Sequence, residues 1–273
     1  MIKILAFLAV LAVPAHATPL TTGGCNDLWA FAERAFDGRM TSSAVMLGGQ
    51  GCAVRDVVIS GSGKDDSSAR IKSVSFRGVN LATGADWLTG DGLTLAVQDL
   101  RMIDGLGDPP GLDADLNLKR SGEDWQIERL SAAFPGGDQM SLSATLAGLD
   151  LTSRDAALQT APSARVTALD LTLSLQGAAN GIMPALLAQS KAPPAVDDLP
   201  DTSLNANSKA ALNAMLAEGS TADGTLHLTL TAPDGIAVSG LMALALVNRD
   251  DPAALLTAVL AAGQFDVVWT DGH

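Results

Sequence analysis

Residues 112–119 read Leu-Asp-Ala-Asp-Leu-Asn-Leu-Lys, and residues 139–146 read Gln-Met-Ser-Leu-Ser-Ala-Thr-Leu. In both, apolar and polar residues alternate. Leu112, Ala114, Leu116 and Leu118 take one side, while Asp113, Asp115, Asn117 and Lys119 take the other. Met140, Leu142, Ala144 and Leu146 separate likewise from Ser141, Ser143 and Thr145. Strand side chains point to opposite faces with period two, so this spacing predicts strands with one wet and one buried face. Such strands belong to antiparallel sheets.

The same pattern extends both ways from there. Strands are expected over residues 40–47, 53–60, 70–77, 93–103, 112–119, 125–134, 139–151, 166–176, 225–231, 236–247 and 265–269. Asp91-Gly92, Asp104-Gly105, Asp223-Gly224 and Asp234-Gly235 are hairpin or strand-start signals. Helices are expected over 26–37, 181–190 and 203–218, with Gly38 and Gly219 as stops. Another begins at Asp251-Pro252, an N-cap followed by Pro at N1, and ends at Gly263. Residues 191–200 hold Pro193, Pro194 and Pro200 and read as a loop. A loose echo of strand, Gly and helix links residues 171–187 with 241–260. The fold class is α+β and β-dominated: a curved antiparallel meander with a few helices packed on one face.

The N-terminus reads as an export signal. Lys3 precedes an apolar run over residues 4–13, Pro14 breaks it, and Ala15-His16-Ala17 offers an A-x-A cleavage site. The run is about half of what spans a bilayer, so a removable signal is expected, with no anchor after its removal. Ala15 and Ala17 mark cleavage, the mature chain starts near Thr18, and the expected compartment is the periplasm. The expected organisation is 1–17 signal peptide, 18–151 a disulfide-stapled helix with an antiparallel meander, and 152–273 an α+β continuation. The alternative is one single domain over residues 18–273.

Composition removes several functions. The formal charge is −13, which repels phosphates and excludes nucleic acid as a natural partner. Tyr is absent and only four Trp and six Phe occur, which leaves little material for stacking sugars or bases. Cys25 and Cys52 are the two cysteines. In an oxidising compartment such a lone pair forms a disulfide, here tying the first helix to the first hairpin. A lipidated Cys25 does not fit, because Thr22-Gly23-Gly24 precedes it in place of a Leu-containing lipobox.

Residues 112–149 carry a resemblance. Trp125-Gln126-Ile127, Leu130, Phe134-Pro135-Gly136-Gly137 and the alternating run from Met140 to Leu146 resemble the repeats of AsmA-like bacterial envelope proteins. The resemblance implies a strand that ends at a Pro-Gly-Gly turn, an antiparallel return, and an elongated curved sheet whose apolar face shelters lipid chains.

Candidate chemistry is sparse. His227 lies among Leu226, Leu228 and Leu230 and takes the polar strand face with Thr229 and Thr231, where a solvated residue is expected in place of a base or metal ligand. His273 is terminal. Gly61-Ser62-Gly63-Lys64 departs from a P-loop at Val58 and Asp65. Asp113-Ala114-Asp115-Leu116-Asn117 opens like a calcium loop but has Leu118 where Gly is needed. Asp65-Asp66, Asp197-Asp198 and Asp250-Asp251 read as solvated loops and caps. Trp29, Trp87, Trp125 and Trp269 read as core. No enzyme and no cofactor is expected. The expected ligand is a lipid chain, held on a face lined by Leu169, Leu171, Leu173 and Leu175 and covered by the helix carrying Leu256 and Leu260. The alternative is an interaction protein that pairs with an envelope protein through an exposed sheet edge.

Overall fold

The structure is a computed structural model. It describes residues 25, 26, 29, 30, 33, 39–48, 51–60, 68–77, 92–103, 111–151, 154–179, 181–190, 194–248 and 251–272. The signal segment with Ala15 and Ala17, the Gly61–Lys64 loop, Asp65, Asp66, Trp87, Asp91, Asp104-Gly105, Asp250 and His273 lie outside the described residues. The chain divides into two compact units, Lys3–Arg120 with Asp150–Gln159, and Ser121–Leu149 with Thr160–His273. Both are built on antiparallel strands.

In the first unit, β1 (Met40–Thr41) and β2 (Ala44–Gly48) both pair with β3 (Gly51–Ser60). The single strand expected over 40–47 is broken at Ser42-Ser43, where the Ser43 N–H donates to the Arg55 carbonyl. Next come β4 (Ser68–Arg77), β5 (Gly92–Ile103) and β6 (Leu112–Ser121), each antiparallel to the one before. Cys25 is helical and buried, and it is bridged to Cys52 near the start of β3 at a Cα–Cα distance of 5.8 Å. Trp29, also helical and buried, joins the same cluster with Met40, Val54, Val57, Ile71, Val74 and Phe76. Its indole Nε1 donates to Ser42 Oγ at 2.8 Å, which satisfies the one polar atom of a buried ring.

In the second unit the order is β7 (Asp124–Ala133), β8 (Gln139–Ala147), β9 (Arg165–Gln176), β10 (Asp223–Ala237) and β11 (Phe265–Asp271). The β7–β8 hairpin turns at Pro135-Gly136-Gly137, where Gly136 and Gly137 have φ of 95° and 98°. That left-handed backbone is open to glycine at little cost. Helix α1 (Arg154–Thr160) falls almost wholly in the first unit, and the second carries α2 (Ile182–Gln189), α3 (Ala206–Glu218), α4 (Val238–Val247) and α5 (Pro252–Ala261). The Asp251 carboxylate accepts from the Ala254 N–H, so the expected cap on α5 is in place.

Two expectations are corrected here. Residues 238–247 form a helix and not a strand. The run Val238-Ser-Gly-Leu-Met-Ala-Leu-Ala-Leu-Val247 is apolar almost throughout. A short apolar run has no period that separates a buried strand from a helix. The echo between 171–187 and 241–260 therefore has no structural counterpart. Pro233-Asp234-Gly235 is also no hairpin turn. It lies in a bulge within β10, between the pairs Thr231↔Ala168 and Ile236↔Val166. The Arg165 guanidinium donates to the carbonyls of Asp234 and Gly235 and holds the bulge to β9.

Candidate functional site

Leu169, Leu171 and Leu173 of β9 stand between two apolar rows. On one side they pair with Ala144, Leu142 and Met140 of β8, and on the other with Leu230, Leu228 and Leu226 of β10. A bulge at Thr167 brings Val166 opposite Leu146, so it joins the leucine face despite its even number. The edge strand β11 adds Phe265 and Val267 opposite Leu230 and Leu228.

This face shares one hydrophobic cluster with the helices. Its buried members include Met183 of α2, Leu212 and Met215 of α3, and Leu260 of α5, along with Val196, Leu199 and Leu204 from the segment before α3. Leu175 is 1% exposed and Leu260 1%, while Leu169, Leu171, Leu173 and Leu256 pack against the cluster half-buried. All six leucines expected at the ligand face therefore meet in one cluster.

Burial across the face is uneven. Leu226, Leu228 and Leu230 on β10 are 4%, 6% and 3% exposed. Phe265 and Val267 on β11 are buried as well. On β7, β8 and β9 the corresponding residues Ile127, Leu142, Leu146, Leu169, Leu171 and Leu173 are half-buried. Leu226, Leu228 and Leu230 of β10 are thus more fully covered than Leu169, Leu171 and Leu173 of β9, while Ala144, Val166 and Leu175 on β8 and β9 are buried.

The opposite face of β9 and β10 is polar. His227 Nε2 lies 3.0 Å from Asp170 Oδ1 and 3.1 Å from Oδ2, both residues exposed. His227 is thus on the polar face, but engaged with Asp170 and not simply solvated. The register Thr229↔Asp170 and His227↔Thr172 brings the two together across neighbouring strands.

Asp138 escaped the sequence reading. It is a carboxylate 2% exposed, seated in the β7–β8 turn. Its oxygens accept from the Gln176 N–H at 2.8 Å and the Ile182 N–H at 2.6 Å. The second donor belongs to the first residue of α2, where a negative charge also meets the positive end of the helix dipole. Its role is to hold hairpin, strand and helix together. A sequence signal existed only in Gly181, where a Cβ would collide with the Asp138 carboxylate.

Ser208 is a second buried polar residue. It accepts from the Val267 N–H at 2.9 Å and donates to Asp266 Oδ1 at 3.2 Å. The Phe265 N–H donates to the Ser203 carbonyl, and Leu204 makes a parallel bridge to Phe265. The outer edge of β11 is therefore occupied over Phe265–Val267. Trp269 is half-buried and its Nε1 donates to Glu218 Oε1. Trp125 is buried, as expected of core.

Acidic groups elsewhere are tied locally. The Arg101 guanidinium hydrogen-bonds Asp99 and holds its carboxyl below the usual carboxylate range. Asp99 has φ 54° and Gln98-Asp99 stand opposite Asp113 in a bulge, with the Asp99 N–H donating to Asp113 Oδ1. The Lys209 ammonium, hydrogen-bonded to Asp201, lowers that carboxyl too. Asp197 accepts from Asn213 Nδ2 at 2.7 Å. Residues 112–121 are β6 and not a calcium loop. Among the described residues, no group of three or more His, Cys, Asp or Glu side chains is placed to hold a metal ion. No described helix is long and apolar enough to cross a membrane. No protein-family model matches the chain, and no curated protein does.

Proposed function

We propose that the protein is an exported, periplasmic, non-enzymatic carrier or envelope-maintenance protein that shelters a lipid chain on the β7–β9 face. The observation that carries this reading is the burial step between Leu226, Leu228 and Leu230 of β10, which are closed off, and Leu169, Leu171 and Leu173 of β9, which are half-buried. Large uncovered apolar patches are unusual on monomers and mark binding surfaces. An acyl chain needs area and shape there, with no hydrogen-bonding groups, and each buried methylene contributes about 0.8 kcal/mol. Bulges at Glu128-Arg129, at Thr167 and at residues 232–235 favour a curved sheet, because each bends its strand and adds twist. The AsmA-like pattern of residues 125–146 favours the same reading. Pairing through a sheet edge has less support, since the start of the β11 edge is already occupied.

The test is titration of a fluorescent fatty acid into the mature protein. Saturable binding at micromolar protein is expected. Leu173→Asp should abolish it and Leu173→Gln weaken it, with circular dichroism unchanged. Absence of saturable binding by the wild type removes the lipid reading and leaves an envelope protein as the partner.

A further inference from the structure

Helices α4 and α5 pack on each other and contain no charged side chain. Their polar side chains are Ser239 and Thr257, and the Thr257 hydroxyl donates back to the Ala253 carbonyl. A helix apolar all round belongs inside a protein or against lipid. Yet α4 is inside on one side only. Val238 and Leu241 pack against the sheet cluster, while Met242 is 67% exposed and Val247 81%. Ser239, Gly240 and Ala243 are exposed beside them. We propose that this face of α4, beside α5, rests on an uncharged lipid surface; the inference rests on the lipid-sheltering reading above.

Three observations choose lipid over another occupant. The first is area. A ten-residue helix is about 15 Å long and about 10 Å wide, so its outer face offers on the order of 150 Å². A stable dimer needs about 800 Å² from each partner. The second is chemistry. Tight protein contacts centre on Trp, Tyr or Arg, and the exposed residues described on α4 are Met, Val, Ala, Gly and Ser. The third is charge. At −13 the chain repels both a second copy of itself and an anionic bilayer, and the charge-free helices leave an uncharged surface as the favoured contact.

Flotation of the mature protein with phosphatidylcholine vesicles tests this. The wild type should float, and added phosphatidylglycerol should reduce flotation at low salt. The double variant Met242→Asp/Val247→Asp should lower the apparent partition by at least about tenfold, with an unchanged circular dichroism spectrum and unchanged uptake of fluorescent fatty acid from solution. Met242→Gln alone keeps a good helix former and should give a smaller loss. A wild type that stays at the bottom overturns the proposal. So do variants that float like the wild type, or a wild-type dimer in sedimentation that the variants dissolve. Flotation without any fatty-acid uptake would leave the docking face standing and remove the lipid-sheltering function.

Discussion

Two acidic residues show how burial decides what a side chain is worth. Asp170 meets His227 on an exposed strand face, where water competes for both partners and an ion pair contributes little. Asp138 makes two charge-assisted bonds in a site that water does not reach. Removing it leaves two backbone donors without their acceptor, and each such loss costs roughly 1.5–3 kcal/mol. His227→Gln should therefore leave stability within about 0.5 kcal/mol of wild type. Asp138→Ala should destabilise by about 3 kcal/mol or more. Urea unfolding of the two variants side by side checks the contrast. Equal losses would mean that the His227–Asp170 pair carries more than its exposure suggests.

Element by element, the sequence was most legible where period two runs unbroken. β6 and β8 appear close to where alternation places them, and the cap Asp251-Pro252 starts α5. It was least legible where one residue type fits two structures. Residues 238–247 hold three Leu, two Ala and two Val beside single Ser, Gly and Met, and the helix begins where the β10 pairing ends at Ala237, a tertiary fact. α1 escaped because seven residues are too few for a helical period to show. Of the site, the leucine row of β9 was readable, but the uneven cover was not, since it depends on where α2 and α3 fall. Ser208 fixes one of those positions, joining α3 to the β11 edge. Ser208→Ala would orphan the Val267 N–H in a buried setting and should cost about 1–3 kcal/mol. Hydrogen exchange should then show faster opening at Val267 than at the β9–β10 ladder. Uniform acceleration across β9 to β11 would mean that the edge has no separate stability.

At the scale of the whole molecule, the two units hold themselves together by different means. The second has a broad cluster of leucines from strands and helices. The first has a smaller cluster of valines and aromatics, with Cys25 and Cys52 inside it and fully buried. The bridge closes a sequence separation of 27 residues, and the chain-entropy account assigns such a loop about 3–4 kcal/mol. That is a large part of the stability of a small unit, since whole domains are stable by only about 5–15 kcal/mol. Reduction should therefore act unequally. Trp29 reports on the first unit, and Trp125 and Trp269 report on the second. In a variant keeping Trp29 alone, dithiothreitol should move the urea midpoint well down. In one keeping Trp125 and Trp269, the midpoint should move far less. Coincident shifts by both reporters would show that the units unfold as one, and the second unit's larger core would then be supporting the first as well. Burial of both sulfurs adds a kinetic expectation. Dithiothreitol must wait for the first unit to open, so the reduction rate should rise with urea in step with the Trp29 signal.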